Sequence, residues 1–202
     1  NNTYGTLGHN NRTNYSSPVQ IPGTTWGTDL NNKVAGGGEF TIWIKTDGTM
    51  YTWGENSYGM LGLNQGPGTD RSSPTQIPGT TWKTTASCKN AGIASKTDGT
   101  LWAWGLNEYG QLGVNDRTHR SSPTQVPGTT WDTCGNSGAR ALMATKTDGT
   151  MWAFGYNNHG QLGVNGVSAL SSPTQIPGTV WNLEGIQSGD NSSNIVFAKE
   201  VT

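Results

Sequence analysis

One motif occurs four times in this chain of 202 residues, and its spacing constrains the fold more than any other feature. The motif is Ser-Ser-Pro-x-Gln-[Ile/Val]-Pro-Gly-Thr-x-Trp, and its first prolines, Pro18, Pro74, Pro123 and Pro173, stand about 50 residues apart. Repeats of this length bury their faces against neighbouring repeats, as in propellers and solenoids. We therefore expect one continuous array, with partial blades at 1–17 and 173–202 and repeats at 18–73, 74–122 and 123–172.

Within each repeat the sequence predicts short β-strands joined by turns. Lys-Thr-Asp-Gly-Thr begins at Lys45, Lys96 and Lys146, and its Asp-Gly pair predicts a two-residue hairpin turn with both central residues at positive φ. In one repeat, the predicted strands are 74–77, the residues after Trp82, 92–97 and 100–104. No segment shows a 3.6-residue apolar period, so we expect an all-β chain of four-stranded antiparallel blades, about four of them.

The strand after each Asp-Gly pair indicates how the blades stack. Trp102 and Trp104 alternate with Leu101 and Ala103, and alternate residues of a strand point to opposite faces. Both faces are apolar or small, so both must be covered, with large side chains on one face meeting small ones on the next blade.

A third element, Gly-x-Asn-x-x-Gly-x-Leu-Gly, begins at Gly54, Gly105 and Gly155. We expect its later glycines to have positive φ, Leu112 to be buried, and Asn107 and Asn115 to bond local backbone. A phosphate cradle is disfavoured because no helix follows and the spacing fits neither a dinucleotide nor a P-loop motif.

Composition excludes several classes of function. The net charge is −1, 12% of residues are charged, and no run of Lys or Arg could neutralise several phosphates, so nucleic acid is not an expected partner. No apolar stretch approaches the length of a membrane span. Nine tryptophans and 30 glycines indicate a core of aromatic side chains packed on small ones. For Cys88 and Cys134, two buried thiols are favoured over a disulfide.

These motifs resemble the repeats of the regulator of chromosome condensation family. The resemblance rests on Lys-Thr-Asp-Gly-Thr-Leu-Trp-Ala-Trp-Gly from Lys96, Tyr-Gly-Gln-Leu-Gly from Tyr109 and the four Ser-Pro-x-Gln segments, and it covers essentially the whole chain. It implies a β-propeller, whose ring in the family has seven blades. The Asn-, Thr- and Gly-rich form of these repeats is most similar to that of bacterial surface proteins and tailed-phage virion proteins.

The resemblance also implies a ring that these repeats do not complete. The chain begins at Asn1, just after the place of a Trp-x-Trp-Gly strand, and the final blade offers residues 194–199 as an edge strand. An unpaired edge must be covered. We expect upstream residues or another chain to cover it, in a seven-bladed or multi-chain ring.

Catalytic chemistry is not indicated. His9, His119 and His159 are dispersed and have no carboxylate or cysteine at ligand spacing, so we expect no metal, cofactor or catalytic residue. The recurrent Asp47, Asp98 and Asp148 precede glycine and are interpreted as turn residues.

Function is expected where the repeats differ, in the loops. Candidate partner-binding residues lie in an insertion after the first repeated Trp, in the longer loop after Gly62, in a charged loop of the repeat 74–122 and in its apolar counterpart in the repeat 123–172. They are Asp29, Leu30, Asn31, Gln65, Pro67, Arg117, His119, Arg120, Val167 and Leu170.

The sequence therefore predicts a non-enzymatic structural or binding protein, extracellular or on a virion, that contacts other protein subunits or a surface receptor. Two alternatives stay open. One is a regulatory propeller such as an exchange factor for a small GTPase. The other is a secreted inhibitor or lectin-like module.

Overall fold

The computed structural model describes residues 1–27 and 32–181, and it contains three four-stranded antiparallel sheets and no helix in those residues. The all-β prediction is confirmed. The first sheet comprises β1 Val34–Gly36, β2 Phe40–Ile44, β3 Met50–Gly54 and β4 Arg71–Ile77. The second comprises β5 Trp82–Cys88, β6 Ala91–Lys96, β7 Leu101–Gly105 and β8 Arg120–Val126. The third comprises β9 Trp131–Asn136, β10 Ala141–Lys146, β11 Met151–Gly155 and β12 Leu170–Ile176.

Each sheet runs in chain order from an inner to an outer strand. The sheets meet at their first strands, since β5 contacts β1 and β2, and β9 contacts β5 and β6. The strands β4, β8 and β12 therefore form the outer edge. The sequence grouped residues 74–77 with the strand of Trp102, but β4 pairs with β3 of the preceding sheet. The Ser-Ser-Pro motif thus ends one blade, and its Trp begins the next.

The outer strand carries proline at a bulge. Thr75 pairs with Thr52 and Arg71 pairs with Gly54, so three residues of β4 stand opposite Trp53 alone. Pro74 is one of the three and has no N–H to donate to a ladder. Proline is confined to edge strands and bulges for this reason, and it discourages further strands from joining the edge. The same shift occurs in the other two sheets.

The aromatic face of the second blade packs against aliphatic side chains of the first, and the expectation that it meets a small face is wrong. Trp104 is fully buried with Ile42, Ile44 and Met60 of the first blade, whereas Leu101 lies in the cluster shared with the third blade. The predicted facing is confirmed for Trp104. Trp102 packs against the same cluster but is only half-buried.

A glycine makes room for the Trp104 indole. A Cβ at Gly92 would lie 2.7 Å from the Trp104 ring and 2.8 Å from the Ile42 Cδ1. No side chain fits there without moving the packed core. The absence of a side chain at Gly92 thus leaves the volume that the indole ring occupies.

Hydrogen bonds also join each blade to the next. The Trp104 indole N–H donates to the Met60 carbonyl at 2.9 Å, as Trp53 does to Thr6 at 2.8 Å. The backbone N–H of Asn64, at φ 56°, donates to the carbonyl of Ser121 in the next outer strand at 2.7 Å. Equivalent bonds run from Asn10 to Ser72 and from Asn115 to Ser171.

The loop between the third and fourth strands is organised by a buried asparagine. Asn107 Oδ1 accepts the Leu112 N–H at 3.0 Å, and its amide donates to the carbonyls of Asp116 and Thr118. The predicted burial of Leu112 and the local role of Asn107 are confirmed. Asn115 instead bonds the neighbouring blade.

The predicted hairpin geometry is wrong. Gly99 has φ 80°, but Asp98 is not among the residues with positive φ. The Gly99 N–H donates to the Lys96 carbonyl and the Lys96 N–H to the Thr100 carbonyl, which is a type I turn closed by a glycine bulge. This longer loop needs positive φ only at glycine. Asp98 caps it by accepting the Thr100 hydroxyl and N–H, and these bonds lower the pKa of Asp98.

Both cysteines are free and buried in the layer between the second and third blades. Burial raises the pKa of each thiol to about 11. The interpretation as buried thiols holds.

Replacing Trp104 with Ala should lower the free energy of unfolding by about 3–5 kcal/mol, because a fully buried indole leaves a cavity. Urea unfolding followed by circular dichroism measures the loss. Val167, which is 64% exposed, provides the control, and V167A should change stability by less than about 0.5 kcal/mol. Equal effects in the two variants would contradict the facing of Trp104.

Replacing Gly99 with Ala should cost about 1–2 kcal/mol, because a side chain is strained at positive φ. Gly66 is the matched control, since it has normal φ and an added Cβ there would have no atom within 4 Å. G66A should be neutral or slightly stabilising, by up to about 1 kcal/mol. If G99A unfolds at the same urea concentration as G66A, the bulge geometry is incorrect.

Candidate binding site in the outer groove between blades

A groove opens between the first and second blades on the side of their outer strands. Its volume is about 440 Å³, within the range of pockets that hold ligands. The first blade contributes Gln65 and Arg71, and the second contributes Trp82, Lys96 and Trp102. The groove lining contains no Asp or Glu. Its wall therefore carries two cationic side chains and no anionic one.

Lys96 is held between two indole rings. Its Nζ lies 4.6 Å from the ring centroid of Trp82 and 4.4 Å from that of Trp102. Trp82 is the cross-strand partner of Lys96, and the Trp102 indole N–H donates to the Thr100 hydroxyl at 2.8 Å. Such cation–π contacts fix the ammonium at the groove wall without neutralising its charge.

The same arrangement, here called the aromatic clamp, recurs in the other blades. Lys45 lies 4.5 Å from Trp26 and 4.6 Å from Tyr51, and Lys146 lies 4.9 Å from Trp131 and 4.6 Å from Trp152. In the part of the chain that the structure describes, no ion pair joins these three lysines to a carboxylate. The clamp is thus a constant part of each blade that presents one positive charge.

Two positions beside the clamp vary between repeats. One follows the Asn with positive φ, the other precedes Ser-Ser-Pro, and together they are called the variable pair. Their side chains meet in three of the four copies: Asn11 donates to the Tyr15 hydroxyl at 3.1 Å, Arg71 donates to Gln65 Oε1, and Arg120 pairs with Asp116 at 2.5 Å. The fourth copy is Gly166 with Leu170.

The variable pair sets the charge at this position of each repeat. Asp116 neutralises Arg120, and hydrogen bonds from Thr118 and then from Arg120 lower the pKa of that carboxyl, so it stays ionised. Gln65 occupies the place of Asp116 beside Arg71 but carries no charge. Of the four pairs, Gln65 with Arg71 is the one with a net positive charge.

The candidate residues chosen from sequence do not form one site. Gln65 lines the groove, and Pro67 lies exposed in the same loop. Arg117 and Val167 are exposed in the corresponding loops of the next two blades. Leu170 is half-buried against the third blade.

The exposed His119 ring also accepts a hydrogen bond from the backbone. Its Nδ1 accepts the backbone N–H of Asn107 at 3.0 Å, as Asp70 Oδ1 accepts that of Asn56 at 3.0 Å. Asp70 and His119 thus accept the equivalent backbone N–H in successive loops. Asp29, Leu30 and Asn31 lie outside the described residues, as does the predicted edge strand at 194–199.

Sequence reasoning missed Arg71 and the aromatic clamp. Arg71 directly precedes a repeated motif, and aligning the repeats would have found it, because this position holds Tyr15, Arg71, Arg120 and Leu170 in the four copies. The clamp combines the Trp of the Ser-Ser-Pro motif with the Lys and Trp of the following hairpin, which the strand register brings together.

No group of three or more His, Cys, Asp or Glu side chains that could hold a metal ion occurs in residues 1–27 and 32–181. Within the same ranges, no helix has the length and apolar character needed to cross a bilayer.

The sheets, their repeats and the outer grooves define a β-propeller array. Sequence models of the regulator of chromosome condensation (RCC1) repeat match residues 47–88, 98–136 and 148–195, and a second model of that repeat matches 32–59. Together these segments cover most of the sequence. The chain belongs to the RCC1 repeat family.

Individual relatives are longer proteins. The chain is 31% identical over 115 residues to the serine/threonine-protein kinase Nek9 of Xenopus laevis, which is 55% of this chain and 12% of the kinase. It is 32% identical over 118 residues to the ultraviolet-B receptor UVR8 of Arabidopsis thaliana, covering 57% of this chain and 26% of the receptor. The chain thus spans about a quarter or less of these relatives.

Solved structures confirm the fold. Human WBSCR16 superposes with a TM-score of 0.71 at 25% identity, over 88% of this chain and 46% of that one. Prp20p of Saccharomyces cerevisiae superposes with a TM-score of 0.64 at 18% identity, over 72% of this chain and 38% of that one. The propeller prediction is confirmed.

Replacing Lys96 with Met keeps the aliphatic stem and removes the charge between the rings. We expect a loss of about 0.5–2 kcal/mol in the free energy of unfolding, the range for cation–π contacts. The exposed Lys89 provides the control, and K89M should stay within about 0.5 kcal/mol of the parent protein. Urea unfolding curves that coincide for K96M and K89M would show that the clamp does not stabilise the blade.

Proposed function

We propose that this chain is a non-enzymatic binding module that holds a partner protein along its outer grooves and the loops that border them. The observation that carries the proposal is the contrast between the constant clamp and the variable pair. A frame that repeats while its bordering residues change is typical of binding surfaces on a rigid scaffold.

A protein partner fits the charge distribution better than a nucleic acid. The chain has a net charge of −1, and the groove contributes two cations rather than the row of phosphate contacts that nucleic-acid binding needs. The structure of Prp20p was described together with its binding to Gsp1p and histones, so a related propeller binds proteins.

The catalytic activities named for some relatives do not extend to this chain. The match to Nek9 covers 12% of that kinase, and the match to human HERC2, an E3 ubiquitin-protein ligase, covers 2% of that ligase. Our proposal assigns this chain binding alone.

The proposed setting is a virion or the outside of a cell. Its support is compositional: few charges, and near-identical repeats rich in Asn, Thr and Gly. Co-purification with particles, or surface labelling of intact cells, tests this setting separately from the binding role.

The two alternatives make different predictions. An exchange factor would bind a nucleotide-free small GTPase and accelerate release of its GDP. A lectin-like module would retain glycans on an array, and an inhibitor would lower the activity of the enzyme that it captures.

The binding role is tested by site-specific photo-crosslinking in extracts of the native host. A photoreactive phenylalanine analogue at the exposed Pro67 should give a discrete protein adduct. The matched control is Lys89, which is also exposed but lies in the hairpin between the inner strands β5 and β6, outside the groove lining. Adducts from Lys89 alone, or from neither position, would contradict binding through the outer loops.

A further inference from the structure

We propose that the groove between the first and second blades binds an acidic peptide segment of the partner, with a Glu or Asp carboxylate seated between Arg71 and Lys96. This inference rests on the proposed function and adds the chemistry of the partner. It concerns this groove and not the equivalent groove between the second and third blades.

Two cationic side chains line the groove. Arg71 and Lys96 line the same cavity from two different blades, and no Asp or Glu lines it. Neither cation forms an ion pair with a carboxylate in residues 1–27 and 32–181. Because both are partly shielded from water, their attraction for an anion is screened less than that of a fully exposed lysine.

Both cationic side chains are already held in position in the free protein. Two indole rings hold the Lys96 ammonium, and Gln65 Oε1, with the carbonyls of Thr69 and Asp70, accepts hydrogen bonds from the Arg71 guanidinium. Side chains already ordered in the free protein lose less entropy when a ligand binds. A guanidinium also matches the planar shape of a carboxylate.

The residue beside the arginine differs in charge between the two repeats. In the next groove Asp116 supplies a carboxylate to Arg120 at 2.5 Å from the same loop position that Gln65 occupies here. That groove carries its own anion. The groove of Gln65 has no carboxylate at this position, so Arg71 can pair with an external one.

The apolar part of the groove indicates which residues flank the carboxylate in the ligand. Leu63, Pro78, Trp102 and Pro123 also line the groove. These surfaces favour apolar residues beside the acidic one. The cavity of about 440 Å³ has room for side chains of a short segment. A nucleic-acid phosphate would meet two cations and an apolar wall, without the further basic contacts that it needs.

Two isosteric substitutions test the inference. Gln65→Glu places a carboxylate where Arg71 already donates, so it should fill the site from within. Asp116→Asn removes the internal carboxylate beside Arg120 and should open a second site in the next groove. Neither change alters the size of a side chain, so both variants should fold, which their circular dichroism spectra check.

The probe is a capped peptide, Ala-Leu-Glu-Leu-Ala, titrated to about 5 mM, a range suited to weak single-site binding. Its control has Gln in place of Glu. Binding is followed by NMR through the indole N–H signals of Trp82 and Trp102 for the first groove, and of Trp131 and Trp152 for the second. Inorganic phosphate and a short oligothymidine serve as competing anions.

We expect the Glu peptide to shift the Trp82 and Trp102 signals and to bind at least about tenfold more tightly than the Gln peptide. Q65E should weaken binding by at least about tenfold, and D116N should add shifts at Trp131 and Trp152. Equal binding of the two peptides, no shift with either, retained affinity in Q65E, or preferential binding of phosphate or oligothymidine would each overturn the inference. If these outcomes occur while Pro67 still crosslinks to a partner, the binding role stands and the carboxylate assignment fails.

Discussion

The structure depends on the contact between the aromatic face of one blade and the aliphatic side chains of the blade before it. A four-stranded sheet of this composition cannot bury both faces alone, and Trp104 needs the space that Gly92 leaves and the side chains of the preceding blade. The indole N–H of Trp104 is also satisfied across this layer, by a carbonyl of the preceding loop. Each blade is therefore completed by its neighbour, which is why the chain repeats at all.

The same constraint explains which residues are free to vary. Residues that contact the neighbouring blade, such as Gly92 and the Asn with positive φ, cannot change without disturbing two units. The variable pair borders the groove, contacts solvent and stands outside the aromatic layer. Changing it alters charge and shape at little cost to packing. A repeat array can thus carry different grooves on one frame, and Gln65 with Arg71, Asp116 with Arg120, and Gly166 with Leu170 are three such cases.

The sequence predicted the features that depend on local pattern. Alternation in the strand of Trp104 was enough to assign its face, and the spacing of Gly and Asn was enough to place Leu112 inside the loop. Features that depend on strand register could not be predicted from the sequence. The Ser-Ser-Pro segment pairs with the strand before it, and Lys96 meets Trp82 because the two are cross-strand partners. The Asp-Gly turn was mistaken because a type I turn with a glycine bulge uses the same two residues as a tighter turn.

We infer that contacts between blades make the array one cooperative unit. Amide hydrogen exchange under native conditions tests it most directly, through the backbone N–H groups of Asn64 and Asn115, which donate to the next blade. The account predicts that these two amides exchange with opening free energies within about 1 kcal/mol of those in the central strand β6. Exchange of the two amides orders of magnitude faster than that of β6 would show that the blades open independently, and it would contradict the claim.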